Sequence, residues 1–313
     1  MIHSHKHPAL GVLLALSSSL LFGLNASTTK VLISSGITAV NITLFRCLAV
    51  VAFSGLYLLI SNRRMFRIQL REVPFFIIFG VVGVGLMQWA YSNAVANLQV
   101  GVALLIEYTA IVIVPIASYF LFREKMRGTI WIAVLLVLGG LSIVAKPWNS
   151  TLSPIGVFFG ILAAIFLSSY FIMGEHVQRR RDAFSTMFYS FLAASIFWLI
   201  ASAFLPTASI DFNDYLNLTG NLEAFSLPTW VLLIWVAVFG SFAPMLFTFL
   251  ALRHLPASGV GIASTAETLF AFVFGFLWLR EMIDLSQLIG GALVVVGIVV
   301  AQMARSKSWQ PSN

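Results

Sequence analysis

Three charged side chains in this sequence lie deep inside otherwise apolar runs: Arg46, Glu107 and Glu267. A charge at the centre of a membrane helix costs about 2.5–3.5 kcal/mol on insertion scales, so such a residue usually faces a cavity or a partner. A carboxylate in that position can bind the cationic group of a solute or carry a proton. We therefore predict that Glu107 and Glu267 contact the substrate. A purely structural ion pair is the alternative for each.

Arg46 and Glu107 are predicted to lie at the same depth. Each is about seven residues from the outer start of its apolar run, which places both about 10 Å below the outer boundary at 1.5 Å per residue. The two side chains are therefore candidates for an ion pair. The sequence leaves open whether Glu107 is paired with Arg46 or is an unpaired carboxyl that carries protons.

Five further polar or aromatic residues at membrane depth are candidates to bind substrate in the same cavity. They are Asn25, Gln88, Trp89, Tyr108 and Tyr170. Asn25 shares one helical stripe with Ser18 and Thr29. Gln88 shares another with Ser92. The alternative for each candidate is packing or an interhelical hydrogen bond, worth about 0.6 kcal/mol on average in membranes.

The composition is that of a membrane protein. Hydrophobic residues make up 60% of the chain and charged residues 9%, whereas about a quarter of an ordinary globular domain is charged. Ten apolar runs of roughly 18–23 residues are each long enough to cross a bilayer as a helix. The predicted spans are 9–29, 39–61, 74–96, 100–122, 129–147, 154–175, 184–205, 229–251, 258–279 and 286–304. We therefore predict an all-α membrane protein with ten transmembrane helices.

The net charge of +7 is explained by membrane topology. If the N-terminus is cytoplasmic and ten helices alternate, only Lys30, Lys146 and Arg280 of the 18 basic residues fall in outer segments. Enrichment of basic residues in cytoplasmic loops is the usual pattern of membrane proteins. We therefore predict no nucleic-acid partner and a multi-pass protein of the cell inner (plasma) membrane, with both termini in the cytoplasm.

The chain carries an internal repeat. Two apolar runs with one internal glutamate each end in Arg123-Glu124 and Arg280-Glu281, which lie 157 residues apart. At the same offset Gly83 matches Gly240 and Gly140 matches Gly297. Coincident matches at one offset indicate a repeated unit.

The predicted repeats have five helices each. An odd number inverts the second repeat relative to the first, and inverted repeats around a central site are a transporter architecture. The predicted divisions are a cytoplasmic tail (1–8), the first repeat (9–147), the second repeat (154–304) and a second cytoplasmic tail (305–313).

The starts of the two repeats, Gly11-Val12 and Gly156-Val157, are offset by 145 residues rather than 157. The second repeat must therefore hold about 12 additional residues. The acidic segment Asp211–Glu223 supplies them. We predict that it forms an outer loop that the fold can do without, because the first repeat has no equivalent.

Prolines and glycines mark special places in several spans. Pro115 and Pro244 each lack the N–H of a helical hydrogen bond and are predicted to kink their helices. Kinks suit a gating helix as well as plain packing. The pairs Gly139-Gly140 and Gly290-Gly291 permit close contact between helices.

Catalytic patterns are absent from the sequence. It contains no HExxH, GxSxG, CxxC or Walker motif, and Cys47 is its only cysteine. One cysteine forms neither an intrachain disulfide nor a cysteine-based metal site. We therefore predict that the protein is not an enzyme and uses no cofactor or metal. Without an ATP-binding motif, any transport would be secondary.

These features together resemble the drug/metabolite transporter superfamily, EamA type. The resemblance rests on the two five-helix halves, a Phe22-Gly23-Leu24-Asn25 turn and a helix from Glu267 that ends in Leu279-Arg280-Glu281. The chain departs from the family pattern at Thr268, where proline is usual, and at Arg280, where glycine is usual. The resemblance implies export from the cytoplasm, a central cavity between the halves and proton coupling in some members.

The run Glu107-Tyr108-Thr109 is similar to a Glu-Phe-Thr run in threonine/homoserine exporters of that superfamily. This similarity implies amino acids or similar small metabolites as solutes. One alternative is a multidrug or lipophilic-cation efflux carrier, in which a carboxylate and aromatic rings hold the cation. Another is a membrane enzyme or scaffold that transports nothing. The sequence patterns leave the coupling ion and the oligomeric state open.

Overall fold

The structure is a computed structural model, and it describes residues 7–61, 63–110, 112–113, 128–145, 152–178, 181–255, 260 and 263–308. Helices dominate these residues. They are α1 (Pro8–Ser34), α2 (Ala39–Ser61), α3 (Val73–Asn97), α4 (Val100–Glu107), α5 (Gly128–Ala145), α6 (Pro154–Gln178), α7 (Ala183–Ala201), α8 (229–254), α9 (Ala266–Leu277) and α10 (Leu285–Ser308). An antiparallel hairpin of β1 (Tyr215–Asn217) and β2 (Ser226–Pro228) lies between α7 and α8.

Six of the helices in the described residues are long and apolar enough to cross a membrane, namely α1, α2, α3, α6, α7 and α8. Shorter apolar stretches lie in α5, α9 and α10. The described part of the chain is therefore mostly helical and fits the predicted multi-pass, all-α membrane protein. The count of ten spans and the two-repeat arrangement remain predictions. Pro115 and the Arg123-Glu124 pair lie outside the described residues.

Two helices contain a π-helical segment at corresponding places. The segment covers Phe79–Leu86 in α3 and Val238–Phe242 in α8. Gly83 and Gly240, which match at the offset of 157 residues, lie inside these segments. π-helical turns are rare and often occur at functional sites, so this correspondence directs attention to both helices.

The first helix of each predicted half begins against the end of the third helix of the other half. A Cβ atom added to Gly11 would lie 2.6 Å from Leu255 Cγ, and one added to Gly156 would lie 2.6 Å from Leu98 Cγ. Real Cβ atoms do not approach other atoms so closely. Both contacts therefore require glycine. The two glycines correspond at the offset of 145 residues, and the two leucines correspond at the offset of 157.

Helices α5 and α10 pack directly against each other at two of the predicted glycines. A Cβ on Gly140 would lie 2.5 Å from the Gly290 carbonyl oxygen, and one on Gly290 would lie 2.5 Å from the Gly140 carbonyl oxygen. A Cβ on Gly139 would have nothing within 4 Å, and one on Gly291 would have ordinary contacts from 3.5 Å. One member of each glycine pair therefore makes the helix contact.

Gly290→Ala is expected to destabilise the protein, because the added methyl group would force α5 away from α10 at the Gly140 carbonyl. We expect a loss of about 1–3 kcal/mol, the usual cost of overpacking. Gly139→Ala is the matched control. It should be neutral or stabilising, because the space is open and alanine is favoured over glycine in a helix by about 1 kcal/mol. Equal thermal unfolding of the two variants in detergent would contradict the close contact.

The end of the molecule at which α1 finishes and α4 begins is predicted to face outside and is called the outer end below. The acidic segment Asp211–Glu223 is packed onto it. Leu218 is buried and accepts a hydrogen bond from Trp278 Nε1 at 2.8 Å. Gly220 has φ of +57°, and a Cβ there would lie 2.0 Å from the Trp278 carbonyl oxygen. Removing the segment would uncover this apolar surface, whereas the sequence predicted that the fold can do without the segment.

Candidate functional site

Two helices are interrupted at corresponding positions. Helix α4 ends at Glu107 and a turn follows at Tyr108 and Thr109, so residues 100–110 do not form the unbroken helix that the sequence predicted. In the second half, a turn at Thr265 directly precedes α9. Tyr108 and Thr265 correspond at the offset of 157 residues. Discontinuous helices commonly carry the substrate or ion site of transporters.

The two carboxylates flank these interruptions. Glu107 is the last residue of α4, and Glu267 is the second residue of α9. Tyr108 Oη donates a hydrogen bond to Glu267 Oε2 at 2.6 Å. At the other end of α4, the Val100 N–H donates to Glu281. The two helices therefore run antiparallel, which brings together two carboxylates that do not correspond in the repeat.

Glu267 is held by its helix as well as by Tyr108. It lies in the first turn of α9, where free N–H groups and the helix dipole favour negative charge. Helix α1 approaches this turn at Gly23, where a Cβ would lie 3.1 Å from the Glu267 carbonyl oxygen and 2.7 Å from Phe270 Cβ. The Phe22-Gly23-Leu24-Asn25 motif belongs to the first predicted span, 9–29, which is helical in the structure. These residues lie within the unbroken α1, and the glycine serves close packing.

Glu107 is buried, with 6% of its surface exposed. No hydrogen bond or salt bridge joins its carboxylate to any residue that the structure describes. The salt bridges in the described ranges are Lys30–Glu281, Arg181–Glu72 and Arg280–Glu223. The predicted ion pair between Arg46 and Glu107 is therefore not formed.

Arg46 is bound to the π segment of α8 instead. Its Nε donates to Ser241 Oγ at 2.8 Å and its Nη2 donates to the Gly240 carbonyl oxygen at 2.9 Å. In an α-helix the N–H of residue 244 would bond to the carbonyl of residue 240, but Pro244 has no N–H. The guanidinium thus takes an acceptor that the proline leaves available. This anchoring explains why Arg46 does not reach Glu107.

Arg46 nevertheless belongs to the same electrostatic cluster as the carboxylates. It is 4% exposed, and Glu107 and Glu267 lie close enough for their charges to affect its electrostatic environment. Its Nη1 has no hydrogen-bond partner among the described residues. Buried polar groups in folded proteins are nearly always hydrogen-bonded. An unsatisfied guanidinium nitrogen near two carboxylates therefore indicates a place for a polar ligand.

Tyr91 also belongs to this cluster, although it was not predicted from the sequence. It is 7% exposed and lies within electrostatic range of Arg46 and Glu107. Gln88 lies one helical turn before it on α3 and is also buried. The Oε1 atom of Gln88 has no hydrogen-bond partner among the described residues. The spacing of three residues between Gln88 and Tyr91 is the signal that would have identified the tyrosine.

Asn25 lies at the edge of the cluster. A Cβ on Gly240 would lie 2.1 Å from Asn25 Oδ1, so the asparagine packs against the segment that anchors Arg46. Its Oδ1 also accepts a hydrogen bond from Thr29 Oγ1 at 3.5 Å. Asn25 and Arg46 therefore both contact Gly240 of the α8 segment.

The remaining two predicted site residues make aromatic packing contacts. Trp89 packs edge-to-face on Phe159 with ring centroids 5.3 Å apart, and its ring lies 5.9 Å from that of Trp198. Tyr170 stacks on Phe79 at 5.6 Å. It also lines a crevice of about 10 Å³ between α3, α6, α7 and α8, which is the space of about one water molecule. The described ring contacts of both residues are with other aromatic rings.

An ion pair joins several segments at the outer end. Lys30 Nζ lies 2.5 Å from Glu281 Oε1 and donates to the Leu98 carbonyl oxygen at 2.7 Å. The Glu281 carboxylate also accepts from the Val100 N–H at 3.0 Å, which caps the start of α4. Helix α1, helix α4 and the segment after α9 are therefore tied together on the outer side of the charged cluster.

The chemistry of the cluster follows from its side chains. In the described part of the chain, no group of three or more His, Cys, Asp or Glu residues could hold a metal ion. Cys47, next to Arg46, is buried among apolar residues that include Val50 and Met187. Two carboxylates, one guanidinium and two phenols can bind ions, form hydrogen bonds and exchange protons.

Comparison with known proteins gives a family match over most of the chain. The model of the EamA-like transporter family matches twice, over residues 9–146 and 154–303. A solved crystal structure superposes with a TM-score of 0.63 at 15% identity, covering 96% of this chain and 99% of that chain. At that identity the likeness shows a shared fold.

Several curated proteins are similar over two thirds or more of their length. The pseudopaline exporter CntI of Pseudomonas aeruginosa is 25% identical over 298 residues, which cover 95% of this chain and 96% of that protein. The uncharacterized transporter YdfC of Bacillus subtilis is 22% identical over 304 residues, covering 95% and 93%. An uncharacterized transporter of Archaeoglobus fulgidus is 22% identical over 213 residues, covering 68% and 70%.

Proposed function

This chain belongs to the EamA-like transporter family, and from that premise we propose that it exports amino acids or similar small metabolites by alternating access through a central cavity. The observation that carries the proposal is Glu107, a buried carboxylate without a partner among the described residues, located at a helix interruption. An intramembrane charge of this kind marks a substrate or proton site. The similarity to a protein named as a pseudopaline exporter supports export of a metabolite.

The proposed architecture is ten transmembrane helices in two inverted repeats, 9–147 and 154–304. Three observations support it. The family model matches each half separately, the π segments of α3 and α8 correspond, and the interruptions at Tyr108 and Thr265 correspond. We further propose location in the cell inner membrane with both termini cytoplasmic, which the distribution of basic residues supports.

A lipophilic-cation carrier is the second candidate function. The observation in its favour is the arrangement of Tyr91 and Tyr108 near Glu107 and Glu267, because aromatic faces and carboxylates attract organic cations. Arg46 opposes it, since a buried guanidinium in the same cluster repels a cation. We therefore rank small zwitterionic or anionic metabolites above lipophilic cations.

Counterflow into proteoliposomes tests the proposed function. Vesicles loaded with an unlabelled amino acid are expected to accumulate the same labelled amino acid in a saturable manner, with threonine and homoserine tested first. Recovery of chemically unchanged solute would argue against an enzyme. Absence of saturable flux across the twenty proteinogenic amino acids, together with saturable flux of tetraphenylphosphonium, would instead support the cation carrier.

Glu267→Gln is expected to lower this flux by about tenfold, the effect of weakening one hydrogen bond to a charged group. Glutamine can still accept the hydrogen bond from Tyr108, so the fold should be retained. Glu223→Gln, which changes an exposed carboxylate of the outer loop, is the control and should leave flux unchanged. Wild-type flux in Glu267→Gln would contradict a role for this carboxylate in transport.

A further inference from the structure

Arg46 is anchored but not neutralised. Two of its three nitrogen atoms donate to Ser241 and Gly240 of α8, while Nη1 has no partner among the described residues. No carboxylate in the described part of the chain lies within 4.0 Å of the guanidinium. Both groups that hold it are uncharged, and an arginine remains charged in any protein environment. The positive charge therefore lacks a contacting anion among the residues that the structure describes.

The opposite charge is present in the same interior but is held apart. Glu107 sits at the end of α4 without a partner among the described residues, and Arg46 is fixed to the π segment of α8. Attraction between opposite charges is strong where water is scarce, so a direct pair would be expected if the two side chains could meet. Instead, Arg46 Nη1 and the buried Glu107 carboxylate each lack a hydrogen-bond partner among the described residues.

We propose that Arg46 binds the carboxylate of the transported solute through Nη1 while Glu107 binds its ammonium group, so that the protein selects solutes carrying both groups free. This inference rests on the proposed function of the cluster as the substrate site. A zwitterion satisfies both unpartnered charges at once. A solute that lacks either group leaves one of them buried without a contact.

The tyrosines complete the proposed site. The Glu267 carboxylate accepts the 2.6 Å hydrogen bond from Tyr108. Glu107 is therefore the carboxylate that is available to a solute. Tyr91 lies within electrostatic range of both Arg46 and Glu107, so its hydroxyl is a candidate third contact. Specificity for a charge pair then comes from α2 and α4, and the side chain of the solute is accommodated elsewhere.

Matched derivatives of one transported amino acid test the inference. For each of the twenty proteinogenic amino acids that shows flux, its methyl ester and its N-acetyl form are offered as competitors. The ester removes the carboxylate and leaves a cation, whereas acetylation removes the ammonium group and leaves an anion. Wild-type protein should bind each derivative about 10–100-fold more weakly than the amino acid, the effect of losing one hydrogen bond to a charged group.

Variants then assign each half of the selectivity. Arg46→Gln should lose the preference for the amino acid over its ester but keep the preference over the N-acetyl form. Glu107→Gln should lose the preference for the amino acid over its N-acetyl form but keep the preference over the ester. Arg46→Lys should restore part of the discrimination against the ester. Because these readouts are ratios between ligands, a merely structural loss would lower all values together.

The outcomes separate this inference from the proposed function. If amino acids are transported but esters compete equally well with wild-type protein, the role of Arg46 is wrong while the exporter stands. If Arg46→Gln does not fold, the wild-type comparison still decides. If no amino acid shows flux and only cations do, both the inference and the amino-acid function are overturned.

Discussion

Replacing Glu107 by glutamine is expected to lower transport at least about 100-fold while leaving the protein folded. The carboxylate makes no hydrogen bond or ion pair with any described residue, so the substitution breaks no such contact in the part of the chain that the structure describes. Glutamine keeps the size and polarity of the side chain. The substitution removes the charge and with it one charge-assisted hydrogen bond to the solute. Such a bond contributes up to about 3 kcal/mol, which corresponds to a factor of about 100 in transport.

Thermal unfolding separates this outcome from the structural alternative. If Glu107 served only to neutralise Arg46, removing it would leave a buried unpaired charge and cost about 3–5 kcal/mol of stability. The double variant Arg46→Gln, Glu107→Gln would then recover that loss. Because Arg46 is anchored on Ser241 and Gly240, we expect no such loss and no recovery. Wild-type flux in Glu107→Gln would contradict the transport role.

Replacing Glu281 by glutamine is expected to open the outer end. The Glu281 carboxylate binds Lys30 at 2.5 Å and caps α4 through the Val100 N–H, so one substitution weakens both ties. The side chains of Lys30 and Glu281 are 27% and 11% exposed, so part of the interaction is screened by solvent. A loss of about 1.4 kcal/mol would raise the ratio of open to closed molecules tenfold.

Cysteine labelling measures this change. Cys47, the only cysteine, is replaced by alanine, and Ser27→Cys places a thiol at a fully buried position of α1 one turn below Lys30. A membrane-impermeant maleimide added outside should label this cysteine about tenfold faster when Glu281→Gln is also present. Glu223→Gln, which affects only the exposed bridge to Arg280, should not change the rate. An unchanged rate in Glu281→Gln would show that the ion pair does not control outer access.

The local sequence determines which part of this protein is inside the membrane and which charges are unusual there. Apolar runs of bilayer length are sufficient to predict an all-α membrane protein, and the rarity of charge within them identifies Arg46, Glu107 and Glu267 as unusual. In the structure Arg46 and Glu107 are buried and Glu267 is half-buried. The equivalence of Gly83 with Gly240 and of Gly140 with Gly297 follows from matches at one offset of 157 residues. These inferences need only the spacing of residues along one chain.

The tertiary structure decides which of those residues meet. The sequence predicts depth along a helix but not the rotation of the helix. It therefore makes Arg46 and Glu107 candidates for an ion pair, although Arg46 is bound to α8. A π segment, such as Phe79–Leu86, widens the helical turn and so changes the rotation of the helix. The residues that follow it then lie on different faces. Trp89 therefore packs among aromatic rings while Tyr91 joins the charged cluster.

The contact between Tyr108 and Glu267 also depends on the tertiary structure and does not follow from the sequence. Each half is interrupted at the corresponding residue, but one glutamate precedes its interruption and the other follows. In the sequence this reads as a mismatch between the repeats. In the folded protein α4 and α9 run antiparallel, so residues on opposite sides of the two interruptions come to the same level. The sequence alone identified the two carboxylates, whereas the antiparallel packing of α4 and α9 brings the Glu107-Tyr108 end of α4 against Glu267.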